Sequence, residues 1–258
     1  MTATAPNPPA LADRVAIVTG SGRRIGRGIA EALARAGAAV VVNARANASE
    51  ADAVVAAIEQ AGGRAAACLA DVANPDDAAR LVATAIERFG RLDILVNNAA
   101  VRAKRAIGDI SNEEWRRVIG VVLDGSFYLS RAAVPHLAKG GCGRIINIGG
   151  ATAFTGSDQH AHVVAAKAGL SGMTRALAIE LGRQGITVNM VSPGLVETPA
   201  DDPKRAAERR QHYQMEKIPL GRPASPDDIA SAVVAIAGDG MAYLTGQTVH
   251  MNGGFYMG

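Results

Sequence analysis

Short runs rich in valine, isoleucine and alanine recur along the chain, with longer segments of a different pattern between them. The runs lack polar alternation, which is typical of strands buried on both faces of a parallel sheet. The predicted strands are 15–19, 38–43, 64–71, 92–97, 144–148, 186–191 and 247–251.

The segments between these runs repeat apolar residues every three or four positions, which predicts helices. They are 25–36, 49–61, 75–89, 112–138, 161–181 and 226–237. Strands that alternate with helices predict right-handed β-α-β units. The fold class is therefore α/β, a doubly wound parallel sheet of the Rossmann type in a single domain. We expect residues 1–12, rich in Pro and Ala, to be a flexible tail and residues 13–258 to form the domain.

Helix starts are marked by capping residues. Asn74 and Ser225 each precede a proline, the order that an N-cap and the first helical position favour. Ser111 is followed three residues later by Glu114, which predicts a capping box with reciprocal hydrogen bonds.

Composition and charge narrow the class of protein. The 258 residues are 48% hydrophobic, which excludes a disordered chain. A formal net charge of +3 is too balanced for a dedicated nucleic-acid binder. Two cysteines make neither a disulfide framework nor a metal site, so no metal is expected. With no signal peptide and no apolar run long enough to span a bilayer, we expect a cytoplasmic protein without membrane contact.

A glycine-rich turn joins the first predicted strand to the first predicted helix. A strand, small residues and a helix N-terminus together form an anion site, because the backbone N–H groups and the helix dipole face a phosphate. A tight turn that needs glycine only for its backbone angles is the simpler alternative. The position after the first strand favours a dinucleotide site, formed by Gly20, Gly22, Arg23, Arg24, Ile25 and Gly26.

Motifs along nearly the whole chain, about 13–254, resemble the short-chain dehydrogenase/reductases. They are TGSGRRIG (19–26), ADV (70–72), NNAA (97–100), GRIINI (143–148), AAKAGL (165–170), VNMVSPGLVET (188–198) and TGQTVHMNGG (245–254). The chain is most similar to the β-ketoacyl carrier-protein reductases. Most members carry Gly at position 24; Arg24 makes the glycine motif of this chain similar to that of the pteridine reductase branch. The resemblance implies a dinucleotide-dependent oxidoreductase that acts on a small molecule.

The resemblance also implies which residues hold the cofactor. By position they are Asn43 and Arg45 at the end of the second strand, Asp71 and Val72 at the adenine, Asn98 and Ala99 at the ribose, Lys167 at the nicotinamide ribose, and Pro193, Gly194, Val196 and Thr198 at the nicotinamide carboxamide. NAD-binding members place an Asp where this chain has Ala44, and Arg45 follows it. Arg23 occupies a position that is basic in many NADP-dependent members. We therefore expect NADP(H), because two guanidinium groups can bind one phosphate; the alternative is that both arginines are solvated.

The catalytic positions of the family are altered in this chain. The resemblance places its lysine at Lys167, but its tyrosine position falls on Val163, its serine position on Gly150 and its asparagine position on Val122. A hydride sent to a carbonyl creates an alkoxide that must be protonated or stabilised, which these side chains cannot do. The usual tyrosine-based mechanism is therefore not available.

Two histidines precede Val163. His160 lies seven residues before Lys167, the tyrosine-to-lysine spacing of the enoyl reductase branch, and His162 follows it. A histidine near a helix N-terminus can act as a neutral proton donor. We hypothesise that His160 is the surrogate acid/base; the alternative is a capping or exposed histidine. Thr152 and Ser157 are weaker hydroxyl candidates.

Two segments border the expected substrate mouth. The loop 101–105 carries Arg102, Lys104 and Arg105, which can hold an anionic substrate or can simply be solvated. The charged segment 200–217, which includes Tyr213, lies where the family has its mobile lid. The family also implies a homotetramer, formed through the two long helices and the last strand.

The predicted function is an NADP(H)-dependent oxidoreductase that acts on an activated carbonyl, enone or imine. The alternative is a non-redox or catalytically silent cofactor-binding homologue: a regulator, a partner subunit, or a dehydratase or isomerase. A degenerate relative without cofactor is disfavoured by the intact glycine turn, Asn98 and Lys167.

Overall fold

A single parallel sheet organises the part of the chain described by this computed structural model, residues 10–198 and 215–258. Its seven strands have the order β3-β2-β1-β4-β5-β6-β7, and every pairing is parallel. They are β1 Val15–Val18, β2 Ala39–Ala44, β3 Arg64–Leu69, β4 Ile94–Asn97, β5 Arg144–Ile148, β6 Thr187–Pro193 and β7 Thr248–Met251. The predicted fold class is confirmed.

Helices cover both faces of the sheet. They are α1 Arg24–Arg35, α2 Ala48–Gln60, α3 Pro75–Phe89, α4 Asn112–Ile119, α5 Gly125–Leu137, α6 Thr152–Thr155, α7 Ala161–Leu181 and α8 Pro226–Ala237. The strand β1 shows why the apolar runs have no alternation. Val15 and Ile17 pack in one core cluster with α3, α5 and α7, while Ala16 and Val18 pack in the other with α1, α2 and α8.

The long helix predicted over 112–138 is interrupted. A π-helical turn, Gly120–Asp124, separates α4 from α5, and the Gly125 N–H donates to the Gly120 carbonyl. A Cβ atom at Gly125 would lie only 2.9 Å from the Val72 carbonyl oxygen, so the helix passes very close to the loop after β3. The hydroxyl of Ser126 donates to the Val122 carbonyl at 2.7 Å. Such π turns are frequent at functional sites.

By length and composition alone, the helical stretch Asn112–Gly140 could cross a membrane. Core helices of soluble proteins pass the same test. Leu129, Ala133 and Leu137 of this stretch pack in the core against the sheet.

The packed domain begins before the boundary expected at residue 13. Leu11 is buried, and its N–H donates to the Ala36 carbonyl at 2.8 Å. This residue closes the core cluster on the α1 face.

Candidate active site

The glycine turn after β1 is too tightly packed for side chains. A Cβ atom at Gly26 would clash with the Gly20 carbonyl oxygen and lie 2.5 Å from Nδ2 of Asn98. Gly20 adopts a φ of +59°, in the left-handed region that favours glycine. The backbone of the turn is therefore exposed to a ligand at close range.

The N-terminus of α1 lacks a side-chain cap. Asn47, Asn74, Ser111 and Ser225 each accept a hydrogen bond from the first turn of the helix that follows. Arg23, at the same position before α1, makes no such bond. The first N–H groups of a helix need an acceptor, and a phosphate can supply it. This arrangement fits the pyrophosphate of a dinucleotide.

Two predicted cofactor residues support the turn from beneath. Asn43 is 1% exposed. Its Oδ1 accepts from the Gly20 N–H at 3.1 Å, and its Nδ2 donates to the carbonyls of Cys68 and Ala70. Nδ2 of Asn98 donates to the carbonyls of Thr19 and Gly20. Both amides therefore position the backbone of the turn.

Of the predicted phosphate-binding arginines, Arg45 follows β2 and Arg23 precedes α1, where it has an acidic neighbour. Arg45 is exposed directly after β2. A guanidinium nitrogen of Arg23 lies 3.7 Å from Oε1 of Glu50, in the first turn of α2. A cofactor 2′-phosphate would compete with Glu50 for Arg23. The sequence prediction missed Glu50, although its N-cap Asn47 places the start of α2 at this edge. The neighbouring Arg24 has a φ of +53°.

The other predicted cofactor residues lie along the same edge of the sheet. Val72 is buried, and the Asp71 carboxylate accepts from the Ala73 N–H at 3.0 Å. The Ala99 N–H donates to the Thr19 hydroxyl at 2.9 Å. The strand β6 ends at Pro193, and the other predicted residues of this segment follow it, including Thr198. The Gly194 N–H donates to the Met251 carbonyl, and Val196 forms a β-bridge with Ala224.

Lys167 is a buried ammonium group at the end of β5. Its Nζ donates to the Ile148 carbonyl. Burial lowers the pKa of Lys167 from 10.5 to about 8, and the positive charge of Arg102 acts in the same direction. The lysine can therefore exchange a proton near neutral pH.

The three substituted positions leave an apolar surface beside this lysine. Val163, one helical turn before Lys167, packs in the same cluster as Val122. The cluster also contains Met190 of β6 and Phe154 of α6. Gly150 has room above it, because a Cβ atom there would meet only the Thr152 hydroxyl, at 3.8 Å. The structure thus brings positions 122 and 163 together.

His160 occupies the N-cap position of α7 and is half-buried. Its Nδ1 lies 2.6 Å from the Asp158 carbonyl oxygen and 3.1 Å from the Ser157 hydroxyl. Seven helical residues correspond to about 10 Å along the axis, so the backbones of His160 and Lys167 lie about two turns apart on α7.

The loop after β4 is joined to the segment that leads into α7. The Arg105 N–H donates to the Gln159 carbonyl at 2.7 Å, and its Nε lies 3.3 Å from a Glu114 oxygen. Arg102 and Lys104 are exposed on this loop. Of the predicted lid 200–217, residues 200–214, including Tyr213, lie outside the described residues; Met215–Lys217 form a short 3₁₀ helix.

Comparisons with known proteins place the chain among oxidoreductases. A family model described as enoyl-(acyl carrier protein) reductase matches residues 20–256. A 3-oxoacyl-[acyl-carrier-protein] reductase from Synechocystis sp. is 40% identical over 96% of this chain and 99% of its own length. From Thauera aromatica, the (2S)-[(R)-hydroxy(phenyl)methyl]succinyl-CoA dehydrogenase subunit BbsD is 39% identical, over 95% of this chain and 97% of its own.

A solved structure from Beutenbergia cavernae has a TM-score of 0.88 and 37% identity, covering 96% of this chain and 99% of that one. It is described as an NAD(P)-dependent gluconate 5-dehydrogenase with bound NADP at low occupancy. The resemblance read from the motifs is confirmed, and the chain belongs to the short-chain dehydrogenase/reductase family.

Proposed function

We propose that this chain is an NADP(H)-dependent oxidoreductase in which Lys167 is the ionisable group that supplies or accepts the proton. The observation that carries the proposal is the buried Lys167 ammonium, with its pKa lowered to about 8, at the edge of the sheet where the glycine turn opens. A catalytic acid is most effective when its pKa lies near the working pH.

The cofactor supplies the hydride when it is bound. The uncapped N-terminus of α1 and the glycine turn hold its pyrophosphate, and Arg23 and Arg45 bind a 2′-phosphate. The NADP bound by the Beutenbergia cavernae protein supports this preference. Asp71 and Val72 flank the adenine, and Pro193, Gly194, Val196 and Thr198 form the nicotinamide side.

The apolar cluster limits the substrates that this site can reduce. Val122 and Val163 offer no hydroxyl or amide to a developing alkoxide. A substrate with an activated carbonyl, a conjugated double bond or an imine needs less help, because its charge is delocalised or already balanced. His160 is the second candidate for proton transfer.

The basic loop 101–105 favours an anionic substrate. Arg102 is close enough to Lys167 to lower its pKa, so an anion bound between them would be attracted by two cations. The Synechocystis and Thauera relatives are named for acyl carrier-protein and coenzyme A substrates, which are anionic thioesters.

A catalytically silent, cofactor-binding subunit is the second candidate function. The observation that favours it is the replacement of the hydrogen-bonding positions by Val122, Gly150 and Val163. The Thauera relative is itself named a dehydrogenase subunit.

The experiment that separates the two functions begins with an NADPH titration followed by fluorescence. The NADPH-loaded protein is then tested with ketones, enones, imines and acetoacetyl-CoA, alongside Lys167→Met and His160→Ala. We expect oxidation of NADPH with at least one class, its loss in Lys167→Met, and a partial loss in His160→Ala. Tight NADPH binding without turnover of any class would support the silent subunit, and unaltered turnover in His160→Ala would remove that residue from the mechanism.

A cytoplasmic location and a homotetramer remain predictions. Phe127 of α5 and Ile179 of α7 are 45% and 85% exposed, which supports an interface on these helices. Size-exclusion chromatography with light scattering tests the tetramer.

A further inference from the structure

His162, the second residue of α7, is fully buried at 0% exposure. Neither of its ring nitrogens makes a hydrogen bond to any residue in the described part of the chain. Oε1 of Glu114 lies 3.9 Å from its Nε2. An unsatisfied buried polar group costs about 1–3 kcal/mol, so this ring calls for an explanation.

Glu114 is shared between two partners. It lies in the first turn of α4, where its N–H is capped by the Ser111 hydroxyl at 3.1 Å. One carboxylate oxygen faces His162, and the other accepts from Nε of Arg105 at 3.3 Å. The side chain of Glu114 is largely buried. A single carboxylate thus links α4 to the loop after β4 and to α7.

Arg105 joins three segments of the chain: its own loop, α4 and the residues just before α7. Its side chain binds Glu114 of α4, and its N–H donates to the carbonyl of Gln159, just before α7. Gln159 has a φ of +58°, an unfavourable angle for a residue with a side chain. The loop 101–105, which carries Arg102 and Lys104, is therefore held at its end by Arg105.

We propose that His162 is a positioning residue whose protonation state decides whether Glu114 pairs with Arg105 or with His162, and thereby how firmly the loop 101–105 is held. With neutral His162, Glu114 holds Arg105. With protonated His162, the Nε2–H donates to Oε1 of Glu114. The present separation of 3.9 Å is too long for this bond, so the carboxylate must move toward the ring, which draws its other oxygen away from Arg105 and loosens the loop.

The charges around the ring set the pH at which this exchange occurs. Glu114 and Arg117 face His162 from α4, Arg105 faces it from the loop, and His160 from the start of its own helix. Burial lowers the pKa of His162, Glu114 raises it, and the three basic groups lower it further. The imidazole is therefore neutral at pH 7, and the exchange falls below the ordinary histidine pKa of 6.5.

The effect on the substrate rests on the proposed function, whereas the exchange itself does not. A loosened loop holds Arg102 and Lys104 less firmly, so an anionic substrate should bind more weakly as the pH falls through the midpoint. A neutral substrate should not be affected in this way.

The chain contains a single tryptophan, Trp115, next to Glu114. We therefore follow Trp115 emission in the full-length protein from about pH 8 to about pH 5, the range in which histidines titrate. We expect one transition below 6.5 that disappears in His162→Asn. The matched control is His136→Asn on α5, which should keep the transition. Absence of a transition in the unsubstituted protein, or the same midpoint in His162→Asn, would overturn the proposal.

Two further variants give a test that does not need His162→Asn to fold. Glu114→Gln removes the anion that favours protonated His162, so it should lower the midpoint by about one pH unit. Arg105→Met removes a cation and the competitor for Glu114, so it should raise the midpoint. Shifts in the same direction, or no shift in either variant, contradict the exchange.

The substrate effect is measured with NADPH-loaded protein and two probes. With acetoacetyl-CoA, we expect KM to rise several-fold below the fluorescence midpoint in the unsubstituted protein and to stay level in His162→Asn. With 2-cyclohexen-1-one, a neutral enone, KM should stay level in both. If neither probe is turned over, the proposed oxidoreductase activity fails while the fluorescence titration still decides the exchange. A level KM for acetoacetyl-CoA alongside a normal fluorescence transition refutes the link to the loop.

Discussion

Lys167 shows at the scale of one residue how function can oppose stability. Its ammonium group is buried, and burial lowers its pKa from 10.5 to about 8. The unfolded chain holds the proton more tightly, so burying the charged ammonium lowers the free energy of unfolding. This cost in stability is largest below about pH 8 and is relieved as the pH rises from there toward 10.5. At neutral pH this cost is on the order of 3 kcal/mol.

Lys167→Met should therefore raise the stability of the protein while it abolishes turnover. We expect a gain of about 1–3 kcal/mol in the free energy of unfolding at pH 7, since the stem stays buried and the charge is removed. Chemical denaturation at pH 7 and pH 9 measures it, and the gain should be smaller at pH 9. A variant less stable than the parent at pH 7 contradicts the assigned cost.

The same residue predicts the pH dependence of reduction. In the proposed mechanism only the ammonium form of Lys167 can donate the proton, so the rate of NADPH oxidation should fall as the pH rises through about 8. Oxidation of the corresponding alcohol or amine should show the opposite slope, because it needs the neutral amine. Rates measured in both directions from pH 6 to about 10 test this expectation, and parallel slopes would exclude Lys167 as the proton donor.

The proposed 2′-phosphate site predicts that single residues near the end of β2 set the choice of cofactor. Arg45→Asp should weaken NADPH binding about 10- to 100-fold and reverse the preference toward NADH, because it replaces a phosphate partner with an anion. Glu50→Gln should strengthen NADPH binding, since it releases Arg23 from its acidic neighbour. Arg64→Asp, at the opposite end of the neighbouring β3, is the control. Unchanged NADPH affinity in Arg45→Asp would end the NADP assignment.

At the scale of an element, the N-terminus of α1 lacks a side-chain cap, which leaves its first N–H groups available to an anion. The helices α2, α3, α4 and α8 each begin with a side-chain cap, whereas α1 and α7 do not. Of these two, α1 begins at a glycine turn in which a Cβ atom at Gly26 would clash with the Gly20 carbonyl oxygen. Asn43 and Asn98 hold that backbone from beneath. The element is therefore preorganised for an anion.

Gly26→Ala should disrupt this turn. Its Cβ would clash with the Gly20 carbonyl and with Nδ2 of Asn98, so we expect a loss of stability of about 2 kcal/mol and a loss of NADPH affinity of at least about tenfold. Gly108→Ala, where a Cβ meets nothing within 4 Å, is the control. Thermal unfolding and an NADPH titration measure the two effects; normal NADPH affinity in Gly26→Ala would place the phosphates elsewhere.

At the scale of the whole molecule, the parallel sheet brings the turn after β1, the loops after β4 and β5 and the end of β6 to one edge. The π turn and α7 add Val122 and Val163 to that edge, in one apolar cluster. The positions that the family resemblance assigns to the cofactor thus lie beside an apolar surface in which positions 122 and 163 carry no hydrogen-bonding side chain.

Restoring the family's hydroxyl groups should therefore restore ordinary ketone reduction. Gly150→Ser has open space for its side chain, and Val163→Tyr lies one turn before Lys167. We expect the double variant to reduce simple ketones about 100-fold faster than the parent, measured as NADPH oxidation. Gly150→Ser with Val163→Phe is the matched control without the phenol and should show no gain. An inactive double variant that still binds NADPH would mean that more than these two hydroxyls is missing.

Local signals in the sequence were sufficient to predict most elements. Strands buried on both faces read as unbroken apolar runs, and α3, α7 and α8 begin and end where the pattern predicts. The helix α6 was missed because four residues show no periodicity. The π turn was missed because its position follows from the close approach of Gly125 to the Val72 carbonyl, which is a tertiary contact.

The sequence by itself determined the fold class, the family and the residue types at the site, because these depend on local pattern and on motifs read in order. Only the tertiary structure decided how those residues are used. Glu114 was expected to complete a capping box with Ser111, yet its carboxylate lies between Arg105 and His162. Asn43 turned out to support the glycine turn, and Glu50 to lie beside Arg23. A side chain's partner is set by distances across the fold, and residues far apart in the chain carry no local signal of that distance.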